Sequence, residues 1–123
     1  MPDFVNRRQP RRGEIWLVAL GAARKGEIGK TRPALVISVD GLLTGSPYDL
    51  ITIVPLTTSS RQKLGFLLPS VQAGNGLQYD SVILTTAPRA IVMSRFLRYL
   101  GDAPDDVFDQ VIEARAYVEG WDD

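Results

Sequence analysis

"GKTRPALVIS", residues 29–38 of a 123-residue chain, decides how the rest is read. Its apolar centre, 34–37, is too short for a helix and carries the β-branched pair Val36 and Ile37. Pro33 and Asp40 bound the run, so it reads as a buried strand over 33–39. The next apolar run, "LITIVPLT" (50–57), follows after a loop rich in Gly, Ser and Asp at 40–49. Ten residues of that composition cannot supply a crossover helix, so the two strands are expected to run antiparallel.

The same signature recurs outward from this pair. "GEIWLVAL" (13–20) precedes it, and "LGFLLP" (64–69), "DSVILTT" (80–86) and "PRAIVM" (88–93) follow. Closely spaced short strands with no helices between them imply a compact antiparallel barrel or sandwich. The chain then changes character. "GDAPDDVFDQVIEARAYVEGW" (101–121) offers Asp102 as a cap, Pro104 in the first turn, and Val107, Val111, Ala114 and Val118 at helical spacing. The expectation is a mainly β domain closed by one C-terminal helix, over residues 11–123, after a flexible tail at 1–10.

Composition removes whole classes of chemistry. The chain has no Cys and no His. Disulfides, thiolate nucleophiles and Ser-His-Asp catalysis are therefore out, and a metal site would need carboxylates alone. No apolar stretch is long enough to cross a bilayer and no h-region follows the basic N-terminus, so a cytoplasmic protein is expected. Net charge is zero but unevenly spread: residues 1–98 carry 13 cations against six acids, and residues 99–123 one cation against eight acids. Eleven of the 14 cations are Arg, which matches phosphate with a planar fork, so the basic body suits an anionic partner.

Within this frame a few residues stand out. Arg32 precedes Pro33, which holds its backbone extended; it is either an anion clamp at the strand mouth or a surface arginine at a strand start. "VPLTTSS" (54–60) runs into four hydroxyls, Thr57, Thr58, Ser59 and Ser60, which make either phosphate contacts or a polar turn. Pro55 inside that strand argues for an edge or a bulge. Arg89 and Arg95 are phosphate contacts or ion-pair partners. "GEIGKT" (26–31) ends like a phosphate-binding loop, but its glycines are too close and no helix follows, so nucleotide binding is rejected.

Taken in order, "RRGEIWLVAL", "EIGKTRPALVIS", "ITIVPLTTS" and "DSVILTTAPRAIVMSRF" resemble the MazF/PemK family of toxin endoribonucleases, from about Arg12 to the C-terminal helix. The resemblance implies a five-stranded SH3-like barrel with a small accessory sheet and a C-terminal helix, assembled as a homodimer. It implies metal-independent, cofactor-free cleavage of single-stranded RNA, in particular mRNA, to 2′,3′-cyclic phosphate and 5′-hydroxyl ends. It also implies a MazE/PemI-like antitoxin with an acidic segment. Residue by residue, Arg32 and Thr57 match the family's catalytic pair. Glu27 matches a first-loop acid implicated in activity, and it is the acid placed to take the 2′-hydroxyl proton. Thr58 and Ser59 follow Thr57 toward the substrate, and Arg89 matches a basic position of an Asp-Gln-x-Arg segment.

The chain departs from the family at that segment. Thr86 and Ala87 replace the usual Asp and Gln, Val92 and Met93 replace a common Asp and Lys, and Leu84 and Thr86 replace the arginine–aspartate pair of plasmid-type members. Chemistry then falls on Arg32 and Thr57, and the sequence cut depends on loops 40–49, 58–63 and 70–79. Two other readings stand beside this one: a related CcdB-like gyrase-poisoning barrel, against which the Arg32–Thr57 pair argues, and an inactive barrel that binds RNA or an acidic peptide, which the departures favour.

Overall fold

The structure, a computed structural model, describes residues 8–21, 30–58, 65–74 and 76–121. Among these, seven strands and one helix follow in order: β1 Glu14–Ala19, β2 Thr31–Val36, β3 Leu50–Thr57, β4 Ser70–Val71, β5 Ser81–Ile83, β6 Arg89–Val92, β7 Phe96–Asp102 and α1 Asp105–Val118. All ladders are antiparallel. β6, β3, β2, β1 and β7 neighbour one another in a five-stranded curl, and β5 and β4 extend from β3 as a small second sheet. The mainly β architecture with an accessory sheet and a C-terminal helix is as expected.

The apolar runs are continuous because the central strands bury both faces. Trp16, Val18, Ala34, Val36, Ile51, Ile53, Met93 and Phe96 fill one side of the curl. Ile15, Leu35, Val54, Leu56 and Ile83 face the other, where Val107 and Val111 of α1 cover them. Trp16 anchors the first core, edge-on to Phe96 and Tyr99 with centroids 6.1 and 5.9 Å away.

Glu14 is the charged exception inside. Only 4% exposed, its carboxylate accepts from the Arg11 N–H at 2.8 Å, the Trp16 indole Nε1 at 3.0 Å and the Arg8 guanidinium. Arg8 also lies over the Tyr99 ring at 4.1 Å, and Pro10 is buried. Residues 8–10 thus pack on the barrel, while 1–7 lie outside the described residues.

Pro55 sits neither at an outer edge nor at a bulge. β3 pairs with β6 as far as Ile53 and with β5 from Leu56. The Pro55 carbonyl accepts from Leu84 at 2.9 Å, so the N–H that proline lacks would point to that same side, between the two partners.

Other expectations are corrected. Residues 65–67 form a 3-10 turn, not a strand, and the pairing segment follows at Ser70–Val71. Pro69 cannot donate to a ladder, and the buried Thr85 hydroxyl takes the Leu67 carbonyl at 2.6 Å. The helix cap is Pro104, not Asp102, whose carboxylate accepts from the Tyr99 hydroxyl at 2.8 Å. β7 was not foreseen. Its ladder with β1 shifts register twice, which breaks the alternation that marks a strand.

Loop 43–49 is tied by Asp49, which accepts from the Thr44 hydroxyl at 2.6 Å and from the Thr44 and Gly45 N–H groups at 2.8 and 2.9 Å. The Thr44 hydroxyl above all holds this carboxyl below the usual aspartate value; desolvation, the next largest effect, opposes it, and the backbone donors add to the lowering. A lowered folded value means that the stabilisation is complete above the ordinary aspartate pKa and is lost as pH falls through the folded one. In an NMR titration from about pH 6 to about pH 2, the Thr44 and Gly45 amides should shift together, with a midpoint below the usual aspartate value. A midpoint at or above that value would contradict the cage.

Candidate active site

Arg32 and Thr57 come from different strands, and register brings them together. β2 and β3 pair Val36 with Ile53, Leu35 with Val54 and Ala34 with Pro55. Two more steps along the same register set Arg32 opposite Thr57. Strand alternation also puts both on one side, Arg32 with Ala34 and Val36, Thr57 with Ile53. They share a cleft of about 230 Å³ with Lys30, Thr31, Pro33, Leu56, Thr58 and Ser81. Lys30 and Arg32 make this cleft cationic, and no carboxylate lines it among the described residues. The arrangement suits an anion flanked by hydroxyls.

The neck of the β1–β2 hairpin positions this charge. Beyond the Ala19–Thr31 pair, the Leu20 N–H donates to Lys30 O at 2.8 Å and the Lys30 N–H to Gly21 O at 2.5 Å. Lys30 has φ +66°, a left-handed conformation that a non-glycine residue rarely adopts. That turn of the chain delivers Thr31 and Arg32 into the strand directly after it. Arg89 donates to the Leu20 carbonyl at 3.2 Å and Arg95 to that of Ala19 at 3.4 Å. Arg89 therefore sits at the neck and is not among the residues lining the Arg32–Thr57 cleft.

Of the residues singled out in the sequence, the structure brings Arg32, Thr57 and Thr58 into one cleft and sets Arg89 beside it. Glu27 and Ser59 lie outside the described residues. Sequence reasoning missed Ser81, which is buried and donates its hydroxyl to the Tyr79 carbonyl at 3.1 Å. Register is the signal that finds it: β5 pairs Val82 with Thr57, so the next step sets Ser81 against Thr58. Lys30, which lies in the rejected nucleotide loop in the sequence, stands before a strand, not a helix. A larger cavity, about 770 Å³ between α1 and residues 65–74 and 77, holds neither Arg32 nor Thr57 and is lined in part by Asp102 and Asp106. Its acidic lining makes it unsuited to phosphate.

The family model described as PemK-like, MazF-like toxin of type II toxin–antitoxin systems matches residues 11–117. The chain belongs to this family. It is 33% identical over 115 residues to endoribonuclease MazF9 of Mycobacterium tuberculosis, covering 90% of this chain and 98% of that protein. The crystal structure of a MazF from Deinococcus radiodurans superposes with TM-score 0.76 at 23% identity, over 93% of this chain and 99% of the other. An endoribonuclease from a mycobacterial species, in complex with its cognate antitoxin, superposes with TM-score 0.69 at 17% identity, over 90% and 95%. The curled sheet with one helix is thus the fold of these toxins. In this PemK/MazF-like chain, no helix among the described residues is long and apolar enough to cross a membrane.

Proposed function

We propose that this PemK/MazF-like toxin is an endoribonuclease that cuts single-stranded RNA without a metal ion. The observation that carries the reading is the Arg32–Thr57 pair, set opposite by register in a cationic cleft. Family membership and the likeness to endoribonuclease MazF9 support the class of reaction.

In the proposed step the RNA 2′-oxygen attacks the adjacent phosphorus and loses its proton, and the P–O5′ bond breaks. The 5′-oxygen leaves with a proton, and a 2′,3′-cyclic phosphate remains. Arg32 does not give up its proton in a protein, so its work is electrostatic: it stabilises the charge that grows on the phosphoryl oxygens. The Thr57 hydroxyl orients the phosphate for in-line attack, with Thr58 beside it. Glu27 is assigned to the 2′-hydroxyl proton. Arg89, and Ser59 beyond Thr58, hold the strand.

The assembly belongs to the same proposal: one domain over 11–123, a homodimer, and a MazE/PemI-like antitoxin whose acidic segment covers the cationic cleft. Relatives captured with MazE or a cognate antitoxin support that partner. The test is incubation of a long single-stranded RNA in EDTA. Discrete fragments with 5′-hydroxyl ends are expected. Intact RNA across several sequences, with gyrase supercoiling inhibited instead, would move the protein to a gyrase-poisoning role.

A further inference from the structure

A second cavity, of about 350 Å³, opens beside the Arg32–Thr57 cleft and shares Pro33, Thr58 and Ser81 with it. Its floor is one cross-strand row: Arg98 of β7 pairs with Leu17 of β1, which pairs with Pro33 of β2. Its outer wall is the segment 76–79, ending in Gln78 and Tyr79.

This wall is built to stay in place. The Gly74 and Leu77 amides each donate to the other's carbonyl at 2.9 Å, and Asp80 accepts from the Ala73 N–H at 2.7 Å. Gly76 lies against the Leu100 backbone, so near that a Cβ there would fall 2.3 Å from the carbonyl oxygen. Ser81 holds the Tyr79 carbonyl. On this fixed base Tyr79 is nonetheless 66% exposed. A large aromatic left in water on a pinned backbone has the backbone part of its ordering cost already met, which favours a stacking platform.

We propose that this trough is a nucleotide subsite next to the scissile phosphate. One unpaired base stacks on Tyr79, the Gln78 amide reads its edge, and Arg98 contacts the following phosphate. The inference rests on the RNA-cleaving reading and adds to it which wall selects the sequence. Pro33 links the two functions: it holds Arg32 extended on one side and floors the base subsite on the other.

The test compares full-length wild type, Tyr79→Ala, Tyr79→Phe and Arg98→Ala on a long RNA and on short RNAs varied at each position around the cut. Tyr79→Ala should raise KM by about 10-fold or more, the effect of losing one stacked base, with a smaller change in kcat. It should also flatten the base preference at one flanking position, and Tyr79→Phe should restore both. Arg98→Ala should weaken binding equally for all sequences and lessen its salt dependence. A 2-aminopurine placed at the affected position should be quenched by wild type and not by Tyr79→Ala. Wild-type kinetics and preference in Tyr79→Ala would overturn the subsite alone. The same result with dimers dissociated in sedimentation would assign the trough to a protein interface instead. If the wild type itself cuts no RNA, the subsite falls together with the activity.

Discussion

Arg32→Ala should lower the rate of RNA cleavage by roughly 10²- to 10³-fold, the usual effect of removing one preorganised donor to a developing oxyanion. The loss should lie in single-turnover cleavage and not in the fold. Arg32 lies near the start of a strand whose core contacts are made by Ala34, Leu35 and Val36, so the variant should still fold, which circular dichroism checks. Arg32→Lys is the sharper variant. It keeps the charge but replaces a planar fork with a point donor, and a bidentate clamp does not survive that change. Cleavage at the wild-type rate by Arg32→Lys would show that only the net charge of the cleft matters. Thr57→Ala, by contrast, should cost less, since a positioning hydroxyl shares its task with Thr58.

The second large effect concerns stability. Glu14→Ala should destabilise the protein by about 2–4 kcal/mol, because it takes the acceptor from the buried Trp16 indole and from the Arg11 amide. Arg8 contributes little to that loss, since its side chain is 55% exposed and water can solvate it. Glu14→Gln separates these contributions. Its amide oxygen can replace Oε1, which accepts from both Arg11 and Trp16, so only the contact with Arg8 is sacrificed. Urea unfolding at unchanged m-value is the measurement, with Glu14→Gln losing less than half of what Glu14→Ala loses. Equal losses would mean that the charge, and not the acceptor geometry, holds the N-terminal segment.

How far the sequence carried depends on the kind of information each feature needs. β1, β2 and β3 were legible because strands buried on both faces read as unbroken apolar runs. β7 was not, since two register shifts against β1 scatter its exposed and buried residues out of alternation. The 64–69 run looked like a strand because Phe66, Leu67 and Leu68 are apolar, but residues 65–67 turn on themselves, with the Leu68 N–H on the Gly65 carbonyl, and only the Pro69 carbonyl reaches β5. Arg32 and Thr57 were recognisable singly, by the proline after one and the hydroxyl run around the other. Their opposition is a matter of register, which the length of loop 40–49 conceals. The Tyr79 trough was out of reach for a further reason: its floor includes Arg98, on the strand that the sequence hid.

Pro55 has a consequence for how such a protein can diversify. The Arg32–Thr57 pair belongs to the five-stranded curl, whereas Ser81 and the wall carrying Tyr79 belong to the small sheet or lead into it. The seam between the two falls at Pro55, where β3 has no N–H to offer and the segment leaving β5 is tied on through the Leu84 N–H and the Pro55 carbonyl. Changes in the span between β3 and β5 would then act on the wall that carries Tyr79, while the opposition of Arg32 and Thr57, set by the β2–β3 register, stays in place.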